Sequence, residues 1–347
     1  MAAVHAAGQV WPAFVLVTGL ILVGTVAERD GLFAAAGSLL GRLPGGGRSV
    51  YCVALALVAL VTAVLNLDTA VVFLTPVLVH LARTRGTDEA PFLYGAVMMA
   101  NAGSLFLPGS NLTNLIVLNG EHVAGATFLE RMWPAAVTAP LATAVVLVVV
   151  FRRELAPTAA QGEDPPFRLG LGAAAVAVAT VVVLVLQSPA LPVLAVGVAS
   201  VVAARVPWRS VAEVADPRVL VGLFALAVAL GALGRLWTWP AHQLATLGRA
   251  GTTAVAGAAS LAVNNLPASV LLAPHPPRHA RALLIGLNLA PNLAVTGSLS
   301  AFLWLRVARA AGARPSAVRY SRIGVVAAPV AAAAALAALW LLSPGRV

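Results

Sequence analysis

The sequence predicts an all-α polytopic membrane protein made of two inverted repeats, each with a re-entrant helical hairpin and a broken transmembrane helix. Three observations carry that expectation. Hydrophobic residues make up 60% of the 347 residues and charged residues 10%, against roughly 25% charged in soluble chains. Apolar runs long enough to cross a bilayer recur along the whole chain. Four of these runs are interrupted by short polar clusters, and the clusters form two matched pairs.

Residues 11–27 form the first span, and residues 28–48 follow with Arg29, Asp30, Arg42 and Arg48. The middle of that segment, 32–43, has the pattern of a helix lying at the interface. Residues 50–81 exceed one span of about 20 residues, yet Asn66 and Asp68 break them. Two half-length helices meeting at a polar tip fit this pattern, because non-helical backbone at membrane depth is tolerated where it lines a protein cavity. Arg83, Arg85, Asp88 and Glu89 then mark a return to water. Residues 92–118 are again too long and are interrupted by Pro108, Gly109, Ser110, Asn111, Thr113 and Asn114, the signature of a span unwound in its middle. A charged loop at 121–131 and a plain span at 133–151 lead to a Pro-containing linker at 152–168.

Beyond the linker, spans at 169–186 and 190–204 are joined by Gln187-Ser188-Pro189. A basic loop at 206–218 and a span at 219–237 follow, with Trp237 and Trp239 as interfacial anchors. Then the early pattern returns. Residues 252–273 break at Asn264-Asn265-Leu266-Pro267, and residues 282–305 break between Asn288 and Ser298. A basic loop at 306–322 and a span at 324–342 close the sequence. Asn66 lies ten positions before Pro76, as Asn264 does before Pro274, and Gly109-Ser110 falls over Gly297-Ser298. Paired interrupted helices in a weak internal repeat point to the central site of a secondary transporter.

Charge distribution gives the topology. All 22 basic residues are Arg, placed in short segments between apolar runs, so the partner they answer to is the lipid bilayer and not nucleic acid. With the N-terminus outside, sixteen of the 22 fall on the inner side and six, Arg131, Arg235, Arg249, Arg278, Arg281 and Arg346, on the outer. The positive-inside rule therefore predicts both termini outside, the first hairpin opening to the cytoplasm and the second opening outward. The expected organisation is a first repeat at 1–151, a cytoplasmic linker at 152–168 and a second repeat at 169–347. The first repeat lacks counterparts of the two spans at 169–204. Cys52 is the only cysteine, and the six His residues show no metal-ligand spacing, so no metal and no cofactor beyond a coupling ion is expected. No enzyme chemistry is expected either. A Gly-Lys-Ser/Thr phosphate loop is absent, so any ATP drive has to come from a separate ATPase subunit.

Asn66-Leu67-Asp68-Thr69-Ala70 with Leu74-Thr75-Pro76, Ser110-Asn111-Leu112-Thr113-Asn114, Asn264-Asn265-Leu266-Pro267, and Gly297-Ser298-Leu299 with Leu303-Trp304-Leu305 resemble the ion transporter superfamily. The resemblance is greatest to the arsenite/antimonite efflux permease branch, related to the divalent anion/sodium symporters, and runs over residues 11–342. It implies the inverted-repeat fold, frequent assembly as a homodimer, a bacterial inner membrane location and proton-coupled export of arsenite. Leu67 and Thr69 depart from the Asn-Asn-Asp-Gly that the efflux permeases resemble at this tip. Related families carry dicarboxylates, citrate or sodium, so a sodium-coupled carboxylate carrier and a sodium/proton antiporter are the alternative expectations.

Asp68, an acid flanked by apolar sequence, is the candidate carrier of the coupling ion, H+ or Na+. Asn66, Thr69, Ser110, Asn111, Thr113, Asn114, Asn264, Asn265, Asn288, Asn292, Thr296 and Ser298 are the candidate substrate-binding residues. Amides, hydroxyls and half-helix ends could hydrogen-bond neutral As(OH)₃, another small inorganic oxyanion or hydroxide, or a carboxylate. The competing readings are that Asp68 only caps a helix and that the amides hold helices together.

Overall fold

The computed structural model describes residues 1–118, 123–155, 170–275 and 277–342. The first half holds α1 (Ala2–Arg29), α2 (Leu32–Arg42), α3 (Gly47–Val64), α4 (Leu67–Thr84), α5 (Glu89–Gly103), α6 (Leu112–Leu118) and α7 (Gly125–Val150). The second half opens with α8 (Leu171–Val185), α9 (Ala190–Ala203), α10 (Trp208–Ala215), α11 (Pro217–Leu236) and α12 (Trp239–Thr246). It continues with α13 (Arg249–Val263), α14 (Asn265–Leu272), α15 (Ala280–Leu289), α16 (Leu299–Ala310) and α17 (Ala317–Leu342). No strand occurs among the described residues. Six of these helices, α1, α3, α4, α7, α11 and α17, are long and apolar enough to cross a membrane.

The four breaks fall where the polar clusters lie. The chain is extended at Asn66 between α3 and α4, and turns at Asn264 between α13 and α14. A short 3-10 turn at Pro108–Ser110 separates α5 from α6, and two more, Ala290–Leu293 and Val295–Gly297, separate α15 from α16. Helix ends are less well matched. α1 covers 2–29 instead of 11–27, residues 125–131 are helical and not loop, and α10 occupies the expected basic loop at 206–218. The 306–322 loop shrinks to the few residues between α16 and α17. The reason is physical: charge marks where an apolar run meets the headgroups, while the helix carries on, its long side chains reaching water. Of the linker, residues 156–168 lie outside the described residues.

The hairpins open on opposite faces. Just past α4, Arg85 donates to the carbonyl oxygens of Leu40 and Leu43 ahead of α3, and Arg83 reaches the Ala311 carbonyl behind α16. The mouth of the other hairpin lies beside the start of α1, where Gln9 Nε2 donates to the Ala273 carbonyl oxygen at 2.8 Å. The Gln9 amide oxygen also accepts from Arg235 at the end of α11, at 2.7 Å. α1 runs from this face to the first one. The two units are inverted, as the arginine distribution predicts.

α1 is the most deeply enclosed of the spans, and small residues let its neighbours approach. A Cβ on Gly197 of α9 would stand 2.7 Å from the Gly19 carbonyl oxygen of α1. Closer still, a Cβ on Gly324 of α17 would run into the backbone carbonyl of Asn292, in the break after α15. Overpacking a fitted contact costs about 2 kcal/mol. Gly324→Ala is therefore expected to lower the thermal unfolding midpoint in nanodiscs. Gly222→Ala, where nothing lies within 4 Å of the added carbon, should leave the midpoint in place.

Candidate substrate and ion site

Four helices begin inside the molecule, and each has a side-chain cap. Asn66 Oδ1 accepts the Thr69 N–H at 2.7 Å at the start of α4, and Asn111 Oδ1 accepts the Thr113 N–H at 3.1 Å at the start of α6. Asn264 Oδ1 accepts the Leu266 N–H at 3.3 Å, and Ser298 Oγ accepts the Ala301 N–H at 3.2 Å, opening α14 and α16. Each cap satisfies one of the donors that a helix start leaves unpaired. Asn264 does so at φ +78° and ψ 151°, a strained combination outside the left-handed helical well and ordinarily left to glycine. Its Nδ2 donates to the Thr296 carbonyl at 3.1 Å, joining the second tip to the second break.

Asp68 is not a cap, since Asn66 fills that role. It sits in the first turn of α4, where its carboxylate oxygen accepts the Ser300 hydroxyl at 2.5 Å. Ser300 lies in the first turn of α16, so the tip of the first hairpin is bonded to the broken helix of the other repeat. A carboxylate beside two helix starts is favoured by their dipoles. Asp68 and Thr69 face a cavity of about 490 Å³, where Leu112 and Leu299 bring the starts of α6 and α16 alongside. Its walls are apolar, with Val17, Ile21, Val72, Leu220 and Leu303 among them. It runs out to Glu213, Asp216 and Arg306, on the arginine-rich face. Asn66 Nδ2 and the hydroxyls of Thr69 and Thr113 are buried and have no protein partner, so this region keeps unspent hydrogen-bonding capacity.

The second tip differs in kind. Leu266 stands at the position of Asp68 and packs with Val10, Phe14, Ile116 and Val270. One tip therefore faces a cavity with an acid, while at the other the matching side chain is buried in an apolar cluster.

The remaining amides form a buried network between the two broken helices. Asn288 Oδ1 accepts from Asn111 Nδ2 at 2.6 Å and lies 2.6 Å from the Ser104 hydroxyl. Asn288 Nδ2 donates to Asn114 Oδ1 and to the Leu284 carbonyl, both at 2.8 Å. Asn114 Nδ2 donates to the Ser104 and Leu107 carbonyls. Asn101 Nδ2 donates to Asn292 Oδ1 at 2.8 Å, and Asn292 Nδ2 to the Met98 carbonyl at 3.1 Å. Ser110 ties its break to α3 through the Ala63 carbonyl. Thus Asp68 and Thr69 line the cavity, Asn66 and Ser298 cap the two helices joined by the Asp68–Ser300 bond, and Asn111, Asn114, Asn288 and Asn292 gather at the hub. Asn264 and Thr296 make a third group, and Asn265 is buried in the first turn of α14.

Sequence reasoning missed Ser300, Asn101 and Ser104, together with Glu213, Asp216 and Arg306. Asn101 and Ser104 carry a signal, a polar pair one turn apart on an apolar helix. Ser300 could have been found as the first-turn neighbour of Ser298. The mouth residues carry none, because a charged loop residue has no sequence mark that places it over a cavity.

The citrate transporter family model, CitMHS, matches residues 2–295. The chain belongs to this family. This CitMHS chain is also similar to silicon efflux transporter LSI3 of Oryza sativa subsp. japonica, 29% identical over 144 residues, which are 42% of this chain and 30% of that protein. An arsenical pump membrane protein of Escherichia coli is 30% identical over 154 residues, 43% of this chain and 36% of its own length. The match thus spans about a third of each of these curated relatives. The crystal structure of the Alcanivorax borkumensis YdaH transporter shares the fold, with a TM-score of 0.62 over 99% of this chain and 88% of that one at 14% identity. The expected kinship with the ion transporter superfamily, with relatives named as arsenical pumps, is borne out, and the chain has a polytopic, all-helical membrane-protein fold.

Replacing Asn288 by Leu leaves Asn111, Asn114 and Ser104 each short of a buried partner. An orphaned buried polar group costs about 2 kcal/mol. Asn288→Leu should therefore lower the thermal midpoint in nanodiscs more than Asn264→Ala, where a cap worth about 1 kcal/mol is lost.

Proposed function

We propose that this CitMHS chain is a secondary active transporter that exports arsenite or antimonite in exchange for protons, with Asp68 carrying the proton. The observation that carries this reading is the Asp68–Ser300 bond at the inner end of a cavity walled by apolar side chains. A small neutral hydroxide needs hydrogen-bonding groups and tolerates apolar walls. Thr69, next to Asp68 in the cavity wall, carries such a group, an unpaired hydroxyl, and a trivalent anion would call for more than the single Arg306 at the mouth. The arsenical pump relatives support the same substrate class.

In this reading the arginine-rich face is cytoplasmic, both termini are outside, and residues 1–151 and 169–347 are the two repeats. Arsenite enters the Asp68 cavity from the cytoplasm. Ionised Asp68 accepts the Ser300 hydroxyl and holds the first hairpin against α16. Protonation removes the charge that favours this bond, since hydrogen bonds to ionised acceptors are roughly twice as strong as neutral ones. In exchange, this proton is taken up on the far side after arsenite has left, and the freed hairpin returns against α16 to release it to the cytoplasm, where the Ser300 bond re-forms. Proton uptake and hairpin release are thus one event at one oxygen.

A second reading is a carboxylate carrier coupled to sodium or protons. Two observations favour it: the family description and the helix starts that surround the cavity, whose positive ends suit an anion.

The test uses everted membrane vesicles. Wild-type chain should accumulate arsenite when respiration makes the lumen acidic, with no need for sodium. Asp68→Asn, inserted at equal level, should reduce proton-driven uptake to background, a loss of at least about tenfold if the ion-coupled step is removed. Uptake that survives in Asp68→Asn overturns the coupling role, and citrate uptake in place of arsenite establishes the second reading.

A further inference from the structure

The face opposite the Asp68 cavity holds a second cavity of about 640 Å³, bounded by the starts of α7, α13 and α15 and the end of α17. Arg131, Arg249, Arg278, Arg281 and His279 line it, with Glu130 as the one carboxylate among the described lining residues. The transport mechanism uses none of them. Arg281 donates to the Arg131 carbonyl at 3.1 Å, which fixes the beginning of α15 to α7. His279 precedes α15 and makes no side-chain cap, so the positive end of that ten-residue helix adds to the same field. Desolvation first, then the neighbouring charges of Arg278 and Arg249, lower the proton affinity of His279. Positive charge is concentrated here to the point of working against itself.

The cavity's depth in the molecule indicates what would relieve it. Its inner wall is apolar, made by Phe128, Met132, Leu336 and Leu339. Trp133 follows Met132 and Trp340 follows Leu339, and these side chains are 45% and 67% exposed. Tryptophans facing outward at the ends of two spans mark the headgroup level. From Trp133 an exposed stripe, Val137, Leu141 and Val145, continues along α7 at four-residue spacing. Guanidinium groups over an apolar wall, opening onto an apolar stripe at headgroup height, match an amphipathic anion. Basic pockets between spans are known to take phospholipid headgroups.

We propose that this cavity binds the phosphate of an anionic phospholipid, with its acyl chains along the exposed stripe of α7. The lipid is a structural ligand that screens the arginines and ties α7, α15 and α17 together.

A free phosphate shares the headgroup chemistry, so the experiment separates the two. Purified full-length protein in detergent is titrated with phosphatidylglycerol, with phosphatidylcholine or with inorganic phosphate, and thermal stability and native mass spectrometry are recorded. Phosphatidylglycerol should raise the midpoint and remain bound in the mass spectrum, whereas phosphatidylcholine and inorganic phosphate should do neither. Double substitution Arg249→Gln, Arg278→Gln should weaken phosphatidylglycerol binding by on the order of tenfold or more. Arg322→Gln, on the other face, should bind it as wild type does. An equal response to phosphatidylcholine, full stabilisation by inorganic phosphate, or unchanged binding in the double variant would each overturn the proposal. The comparison of ligands on the wild type decides the matter even where the double variant does not fold.

Discussion

A helix that starts in the middle of a bilayer exposes N–H groups where no water can reach them, and four helices of this protein start that way. The hydrocarbon supplies no partners, so each start must bring its own. Asn66, Asn111, Asn264 and Ser298 do this with one side-chain oxygen apiece. The polar clusters that interrupt the apolar runs are in large part the answer to this requirement. What remains after the caps are spent is one carboxylate, a few unpaired hydroxyls and amide nitrogens, and the dipoles of the starts themselves.

The repeats are interlocked and not merely adjacent. α4 of the first unit meets α16 of the second through Asp68 and Ser300, and α14 of the second packs with α6 of the first. The two pairings are equivalent by the inverted symmetry, yet their chemistry differs. Asp68 faces a cavity, while Leu266, its counterpart, is enclosed by Val10, Phe14 and Ile116. Symmetry supplies two tips in equivalent places, and only the first carries an acid.

Much of the fold was legible from residue order, because lipid makes polarity conspicuous. Every interruption in an apolar run coincides with a break in helix, and the asymmetric placement of arginines anticipated the opposed hairpins. The limits of helices were less legible. The helical backbone of α7 begins at Gly125, eight residues before the apolar run, since a charged side chain can lie on a helix as well as beside one. Within the site, residue type announced that Asn288 and Asn292 matter without announcing how. Their bonds to Asn101, Asn111 and Asn114 depend on which faces α5, α6 and α15 turn toward each other, a property of packing that no linear pattern contains. Ser300 was hidden for the same reason: its significance comes from a partner 232 positions away.

The separation of partners along the chain bears on how the protein is made. Ser104, Asn111 and Asn114 enter the membrane in the first third of the sequence, but Asn288, which bonds all three, follows 184, 177 and 174 positions later. At a translation rate of roughly 5–20 residues per second that gap is roughly 10–35 s. During it, the first broken helix has its local bonds, such as those from Asn114 to the Ser104 and Leu107 carbonyls, but lacks those that Asn288 supplies. Completion of the network is thus a late step, one that comes only with α15.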